Sequence, residues 1–132
     1  MEGNQIAITD LFDLNNDAYS LEGKITSVIF TDDGGTITGQ GDATLYGTVK
    51  LTYNLKTNPK VPGQGIMTGT GMGIDEDGNL EIGALNGVWK RNGHEIKIYC
   101  VDDISDGNLN AAVVVLNLKS DSLRVDWSQI SG

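Results

Sequence analysis

Residues 37–55 read Ile-Thr-Gly-Gln-Gly-Asp-Ala-Thr-Leu-Tyr-Gly-Thr-Val-Lys-Leu-Thr-Tyr-Asn-Leu. Every odd position is apolar or glycine: Ile37, Gly39, Gly41, Ala43, Leu45, Gly47, Val49, Leu51, Tyr53 and Leu55. Every even position is polar, apart from the amphipathic Tyr46. Strict alternation means a strand with one buried face, because successive side chains leave a sheet on opposite sides. A straight strand of that length would run roughly 60 Å, too far for a small domain, so the run has to bend or break. Gly39-Gln40-Gly41 and Tyr46-Gly47 are the places where the backbone can do so.

Working outward, further strands are expected over Gly23–Thr31, Gly63–Ile74, Leu80–Arg91, His94–Val101, Leu109–Lys119 and Leu123–Ser128. Turn chemistry separates them: Asp32-Asp33-Gly34-Gly35, Asn58-Pro59, Asp77-Gly78, Asn92-Gly93, Asp102 to Asn108 and Ser120-Asp121. Seven or eight strands joined by short hairpins make an antiparallel meander. Closing it into a barrel removes its edges, which predicts an all-β barrel of roughly eight strands over residues 21–128, with a two-sheet sandwich as the rival. Residues 1–20 form a separate N-terminal segment. Within Asp10 to Leu21, the residues Leu11, Leu14, Ala18 and Leu21 share a helical face. That spacing predicts a short helical turn capped by Thr9 or Asp10, plugging one barrel end.

The chain has 132 residues, 39% of them hydrophobic, so one soluble domain is expected. Nine basic against 18 acidic side chains give a net charge of −9. That balance excludes nucleic acid, whose phosphates need a basic surface, and disfavours anionic membranes. No apolar run approaches the ~20 residues that span a bilayer. Met1-Glu2-Gly3-Asn4-Gln5 has neither a basic n-region nor an apolar h-region, so cytoplasmic residence is expected. Cys100 is the single cysteine, which leaves no intrachain disulfide.

Hairpin register sets the inner face. A two-residue turn at Asn92-Gly93 pairs Arg91 with His94, Lys90 with Glu95, Trp89 with Ile96 and Leu85 with Cys100. Leu85, Trp89, Ile96, Ile98 and Cys100 then face inward. Lys90–Glu95 becomes an exposed ion pair, and Arg91 and His94 meet at the barrel mouth. A turn at Ser120-Asp121 pairs Leu118 with Leu123, Leu116 with Val125 and Val114 with Trp127. At Asp77-Gly78 two registers compete. A two-residue loop turns Thr68 and Thr70 inward, opposite glycines; a three- or five-residue loop turns Gly65, Gly69, Gly71 and Gly73 inward instead. Either leaves the interior under-filled on that side, which is the main hint of a cavity.

The glycine strand Gly63 to Gly73 is no dinucleotide fingerprint, since that motif needs a strand, a tight turn and a helix. Its glycines either permit barrel coiling or clear space for a ligand. His94 is the only histidine, and no Gly-x-Ser-x-Gly elbow accompanies it, so a nucleophilic triad has little support. Arg91 and His94 together suit a carboxylate or proton transfer; an ordinary solvated hairpin end is the plainer account. Asp13 to Asp17 opens like a calcium loop, but Ala18 and Lys24 stand where glycine and glutamate belong. The acids at Asp75–Asp77 and Asp102–Asp106 read as solvated loops. No metal site and no cofactor is therefore expected. Glu81 is expected at the barrel rim in water, or inward as an acid with a raised pKa.

The Thr-Gly-x-Gly strands, Thr38-Gly39-Gln40-Gly41 and Thr68-Gly69-Thr70-Gly71-Met72-Gly73, give the meander from Glu22 to Ser128 an outline that resembles small closed barrels of the lipocalin-like (calycin) and allene-oxide-cyclase-like kinds. The lipocalin Gly-x-Trp signature and recognisable cyclase residues are absent. What the resemblance implies is an axial cavity for an apolar small molecule, or cyclisation of a reactive intermediate by shape.

The residues themselves lead to the same place. Leu85, Trp89, Ile96 and Ile98 are expected to line a ligand cavity, Thr68 and Thr70 to supply hydroxyls, and Arg91 and His94 to recognise a polar end group. One alternative is an isomerase or cyclase with His94 or Glu81 as proton donor. Another is a solid barrel acting as an interaction module, with Val88, Tyr99 and Val101 on the outer face as a homodimer patch.

Overall fold

A computed structural model describes residues 14, 18–43 and 46–130 of the chain. Eight strands follow one another: β1 (Tyr19–Thr31), β2 (Gly34–Ala43), β3 (Gly47–Thr57), β4 (Gln64–Ile74), β5 (Leu80–Asn92), β6 (Glu95–Ile104), β7 (Leu109–Asn117) and β8 (Ser122–Gln129). Each pairs antiparallel with the next, and β8 returns to β1, closing the barrel. The alternating run breaks between Ala43 and Gly47, where Gly47 adopts a φ of 73°. Gly39-Gln40-Gly41 stays within β2; the irregularity falls on its partner, between Ile25 and Ser27 of β1.

The helical turn expected over residues 10–21 is corrected at its C-terminal end. Tyr19, Ser20 and Leu21 are strand residues opposite Trp127, Asp126 and Val125. Leu14 makes an isolated antiparallel bridge with Ile130. Residues 10–13 and 15–17 lie outside the described residues. The reason is topological: without this stretch of β1, β8 would be an unpaired edge. The seam between β1 and β8 runs from Tyr19–Trp127 to Lys24–Ser122. On its outer face Arg124 bonds Glu22 at 2.7 Å and Asp126 at 2.9 Å, and Ser20 donates to Asp126.

Two hairpins differ from the expected register by two positions. Asn92 pairs with Glu95, so the turn is Gly93-His94, with Gly93 at a φ of 66° as a type II′ turn requires. Trp89 then faces Ile98 and Lys90 faces Lys97, so the expected Lys90–Glu95 pair does not form. In the second, Asn117 pairs with Ser122 across a four-residue loop. The Asn117 side chain accepts from the backbone of Lys119 and Ser120, both at 3.0 Å. Asp121 takes the left-handed φ of 56° that aspartate tolerates. Leu116 now faces Leu123 and Val114 faces Val125. A slip of two preserves which residues point inward, because the side-chain period is two. The inner face is therefore unaffected.

The third hairpin decides between the two competing registers. Ile74 pairs with Leu80, which leaves a five-residue loop. The Asp75 carboxylate organises that loop, accepting from the backbone of Asp77 (3.0 Å) and Asn79 (2.9 Å) and from the Asn79 amide (3.0 Å). Gly65, Gly69, Gly71 and Gly73 consequently face inward. Thr68 and Thr70 face outward and are exposed, which corrects their assignment to a ligand cavity. Most of these glycines are needed by close backbone approach. A Cβ on Gly65 or Gly69 would overlap the carbonyl oxygen of Lys56 or Thr52 on β3. Gly71 differs: its Cβ would meet only the ends of Leu51 (3.2 Å) and Leu85 (4.0 Å).

Candidate functional site

The middle of the barrel is solid. Ile37, Tyr53, Met67, Ile98, Val114 and Leu116 are fully buried there. Eight strands leave an interior just wide enough for side chains, and these fill it. Inside the barrel, among the described residues, open space lies towards the two ends.

One end is built by the start of β1, residue 46, and the loops joining β4 to β5 and β6 to β7. It contains a cavity of about 80 Å³ with largely apolar walls, including Leu21, Val49, Leu51, Gly71, Leu85 and Val125. At ~10–15 Å³ for a single water, this holds several waters or a group of that size. It is small beside the ~300–1,000 Å³ of sites that engulf a drug-sized ligand. Among the polar side chains that reach it are Tyr46, Asp102, Asn110 and Trp127. Each carries a buried atom without a hydrogen-bond partner: Tyr46 Oη, Asp102 Oδ1, Asn110 Oδ1 and Trp127 Nε1. Asp102 and Asn110 stand directly opposite on β6 and β7. The Trp127 ring lies 6.4 Å from Tyr46 and 5.7 Å from Tyr19. Glu81 sits at the rim, half-buried, and accepts from the Ser105 hydroxyl at 2.6 Å.

The electrostatics follow from this burial. Loss of hydration pushes the Asp102 carboxyl up to about 6, against a smaller downward pull from the Cys100 thiol. Burial, and then the Asp102 charge, push the Cys100 thiol far up, so it stays protonated. The Tyr53 hydroxyl is raised well above its ordinary value by burial, with Cys100 and Asp102 adding to it. Burial also raises Tyr46. Asn110 and Asn108 oppose that shift and Asp106 adds to it, although none of them reaches hydrogen-bond geometry with the hydroxyl.

The residues expected to form one ligand site are divided by the solid core. Leu85 lines the cavity just described. Trp89, Arg91 and Ile96 border a wider depression of about 280 Å³ at the opposite end, where Trp89 Nε1 donates to the Lys56 carbonyl at 3.2 Å. Ile98 is sealed in the core between them. His94 is exposed in the hairpin turn, and Arg91 faces Ile96, so the expected Arg91–His94 pair is not formed. Asp102, read as a solvated loop residue, is the next inward position of a strand already known from Ile98 and Cys100. Continuing that alternation by one step would have found it. Continuing β7 backwards from Val114 through Ala112 would likewise have found Asn110.

On the outside, Val88, Tyr99 and Val101 are about half exposed, as their register requires. Ile66, Val88, Tyr99 and Val113 align across β4 to β7 in one apolar row. Among the described residues, no helix is long and apolar enough to cross a membrane, and no cluster of His, Cys, Asp or Glu could hold a metal ion.

Fold and cavity together define an all-β protein: a closed eight-stranded antiparallel meander, compatible with a calycin-like barrel, with a largely apolar pocket at one end that a few polar side chains border. No protein-family model, curated protein or solved structure matches the chain.

Proposed function

We propose that this protein binds a small molecule in the cavity bounded by Tyr46, Asp102, Asn110 and Trp127. The observation that carries this reading is the set of four buried polar atoms without partners around one apolar space. Leaving a buried polar group unpaired costs ~1–3 kcal/mol, so an occupant that pairs several of them is favoured over a purely apolar one. The ligand is a mostly apolar molecule with a compact polar head. The resemblance to lipocalin-like and allene-oxide-cyclase-like barrels supports an axial binding site. The solid middle restricts that site to one end.

The two tryptophans supply the test. Trp127 lines the cavity and its buried Nε1 has no partner, whereas Trp89 Nε1 is engaged at the opposite end. In a proton–nitrogen correlation spectrum, short-chain alcohols, amines and carboxylates are titrated against their two indole signals. Binding in the cavity moves the Trp127 signal and leaves that of Trp89 in place. If no compound moves Trp127 selectively, the reading is wrong.

A second reading, isomerisation or cyclisation in the same cavity, is favoured by one feature. Asp102 is a buried carboxyl poised near neutrality, where an acid–base catalyst works best. His94 is remote from the cavity and Glu81 is held by Ser105, so Asp102 replaces both as the donor. Turnover of a bound compound by the native protein, absent in folded Asp102→Asn, tests it.

A further inference from the structure

The proposed cavity has a chemical polarity of its own. Two of its four unpartnered atoms, Asp102 Oδ1 and Asn110 Oδ1, are acceptors on directly opposed residues of neighbouring strands. Asn110 is only 3% exposed, so water reaches its oxygen poorly. The walls beside them are aromatic, with the Trp127 and Tyr46 rings side by side.

Around the mouth stand further acids: Asp42, Asp103 and Asp106 at strand ends and loops, Glu81 at the rim, and three more in the loop between β4 and β5. No lysine or arginine lies among residues 61–89, 98–118 or 125–132, and the first in the chain is Lys24. Lys50 of β3, opposite Met72, points outward. The opposite end, by contrast, mixes Lys56, Lys60, Lys90, Arg91 and Lys119 with its acids. The cavity therefore has no internal counter-ion for its carboxylate; on the outer wall nearby, Arg124 is engaged by Glu22 and Asp126 and Lys50 is exposed, so acids outnumber bases around the mouth and the net field draws in cations.

Resting on the binding reading above, we infer that the ligand is a small primary amine bound as its ammonium ion. Its N–H groups bridge Asp102 Oδ1 and Asn110 Oδ1, the Trp127 and Tyr46 rings lie against its charge, and its apolar body fills the space beside Gly71. An ammonium ion has several donors and a positive charge. It is complementary to two acceptors of which one is anionic, and to the negative faces of aromatic rings. A carboxylate could accept from Trp127 Nε1 and Tyr46 Oη, but it would bring a second negative charge beside Asp102 and into a negative mouth. A neutral alcohol would satisfy one acceptor and leave the carboxylate uncompensated.

The test compares n-butylammonium, 1-butanol and butyrate at pH 7.5, read on the Trp127 indole signal of the whole protein. The expected result is at least tenfold tighter binding of butylammonium than of 1-butanol, and no binding of butyrate. Asp102→Asn should lower the affinity for butylammonium at least tenfold, change that for 1-butanol by much less, and leave the Trp89 signal unchanged. Equal or tighter binding of 1-butanol or butyrate overturns the amine assignment while the binding site stands. So does a preference for butylammonium that survives Asp102→Asn. If none of the three moves Trp127, the binding site falls with it.

Discussion

Replacing Asp102 with asparagine should stabilise the fold, and should do so only at neutral and alkaline pH. The folded protein holds this carboxyl at about 6 against an ordinary 3.8, chiefly through burial. Folding therefore favours the protonated form. The group's stabilising contribution is complete below pH 3.8 and is lost as the pH rises through 6. At 1.36 kcal/mol per pH unit, that gap amounts to about 3 kcal/mol. Asparagine keeps the shape and cannot ionise, so Asp102→Asn should recover up to about 3 kcal/mol at pH 8 and little at pH 4. For a domain of this size the gain corresponds to roughly 10 °C in Tm. The assay is urea unfolding of both proteins at pH 4, 6 and 8, monitored by tryptophan fluorescence. Groups elsewhere titrate alike in both proteins and cancel in the difference. A variant no more stable than wild type at pH 8, or one equally stabilised at pH 4 and 8, would refute the argument that burial of this charge opposes folding.

Other outcomes are expected from the same reasoning. Trp89→Ala should destabilise by about 3–5 kcal/mol in denaturant unfolding, as large core truncations do, because the ring is buried and its Nε1 is bonded to Lys56; a loss below 1 kcal/mol would mean that end is loosely packed. Gly71→Ala should fold and reduce ligand affinity, since its Cβ enters the cavity, whereas Gly65→Ala should unfold or fail to accumulate, since its Cβ would overlap the Lys56 carbonyl. Circular dichroism and the Trp127 titration separate the two cases. Cys100 is buried and its thiol is held protonated, so it should resist iodoacetamide in the native protein and react in urea. Rapid native alkylation, followed by mass spectrometry, would contradict that placement.

The strand pattern was legible because alternation is local. Residues 37–55 alone require a half-buried strand pair, and every connection but the one between β2 and β3 carries its own glycine, asparagine or aspartate. Register was less legible. Turn chemistry at Asn92-Gly93 fits a type I′ loop, yet the chain forms a type II′ turn one residue later. The two choices bury the same side chains, so the apolar pattern cannot distinguish them. At Asp77-Gly78 the choice inverted the faces of β4. There Asp75 decided it, by bonding a loop three residues longer than the dipeptide suggests. The site was harder still. Its polar residues sit at the ends of inward rows, where Asp102 and Asn110 look like loop composition. Only the closed geometry shows that they oppose each other beneath Trp127 and Tyr46.

The closure itself has a consequence for the order in which the chain assembles. Seven of the eight strand pairings are hairpins between neighbours in sequence. Such units form in about 1–10 μs in isolation. The eighth joins residues roughly a hundred positions apart, along the short β1–β8 seam clasped by Arg124, Glu22 and Asp126. A ladder of fast local steps therefore waits on one distant encounter, and until it occurs both outermost strands remain open to pairing with another chain. The exposed salt bridges across the seam contribute little to the finished fold. Their effect is expected at that late encounter instead: high salt, which screens exposed charges, should slow closure in refolding experiments.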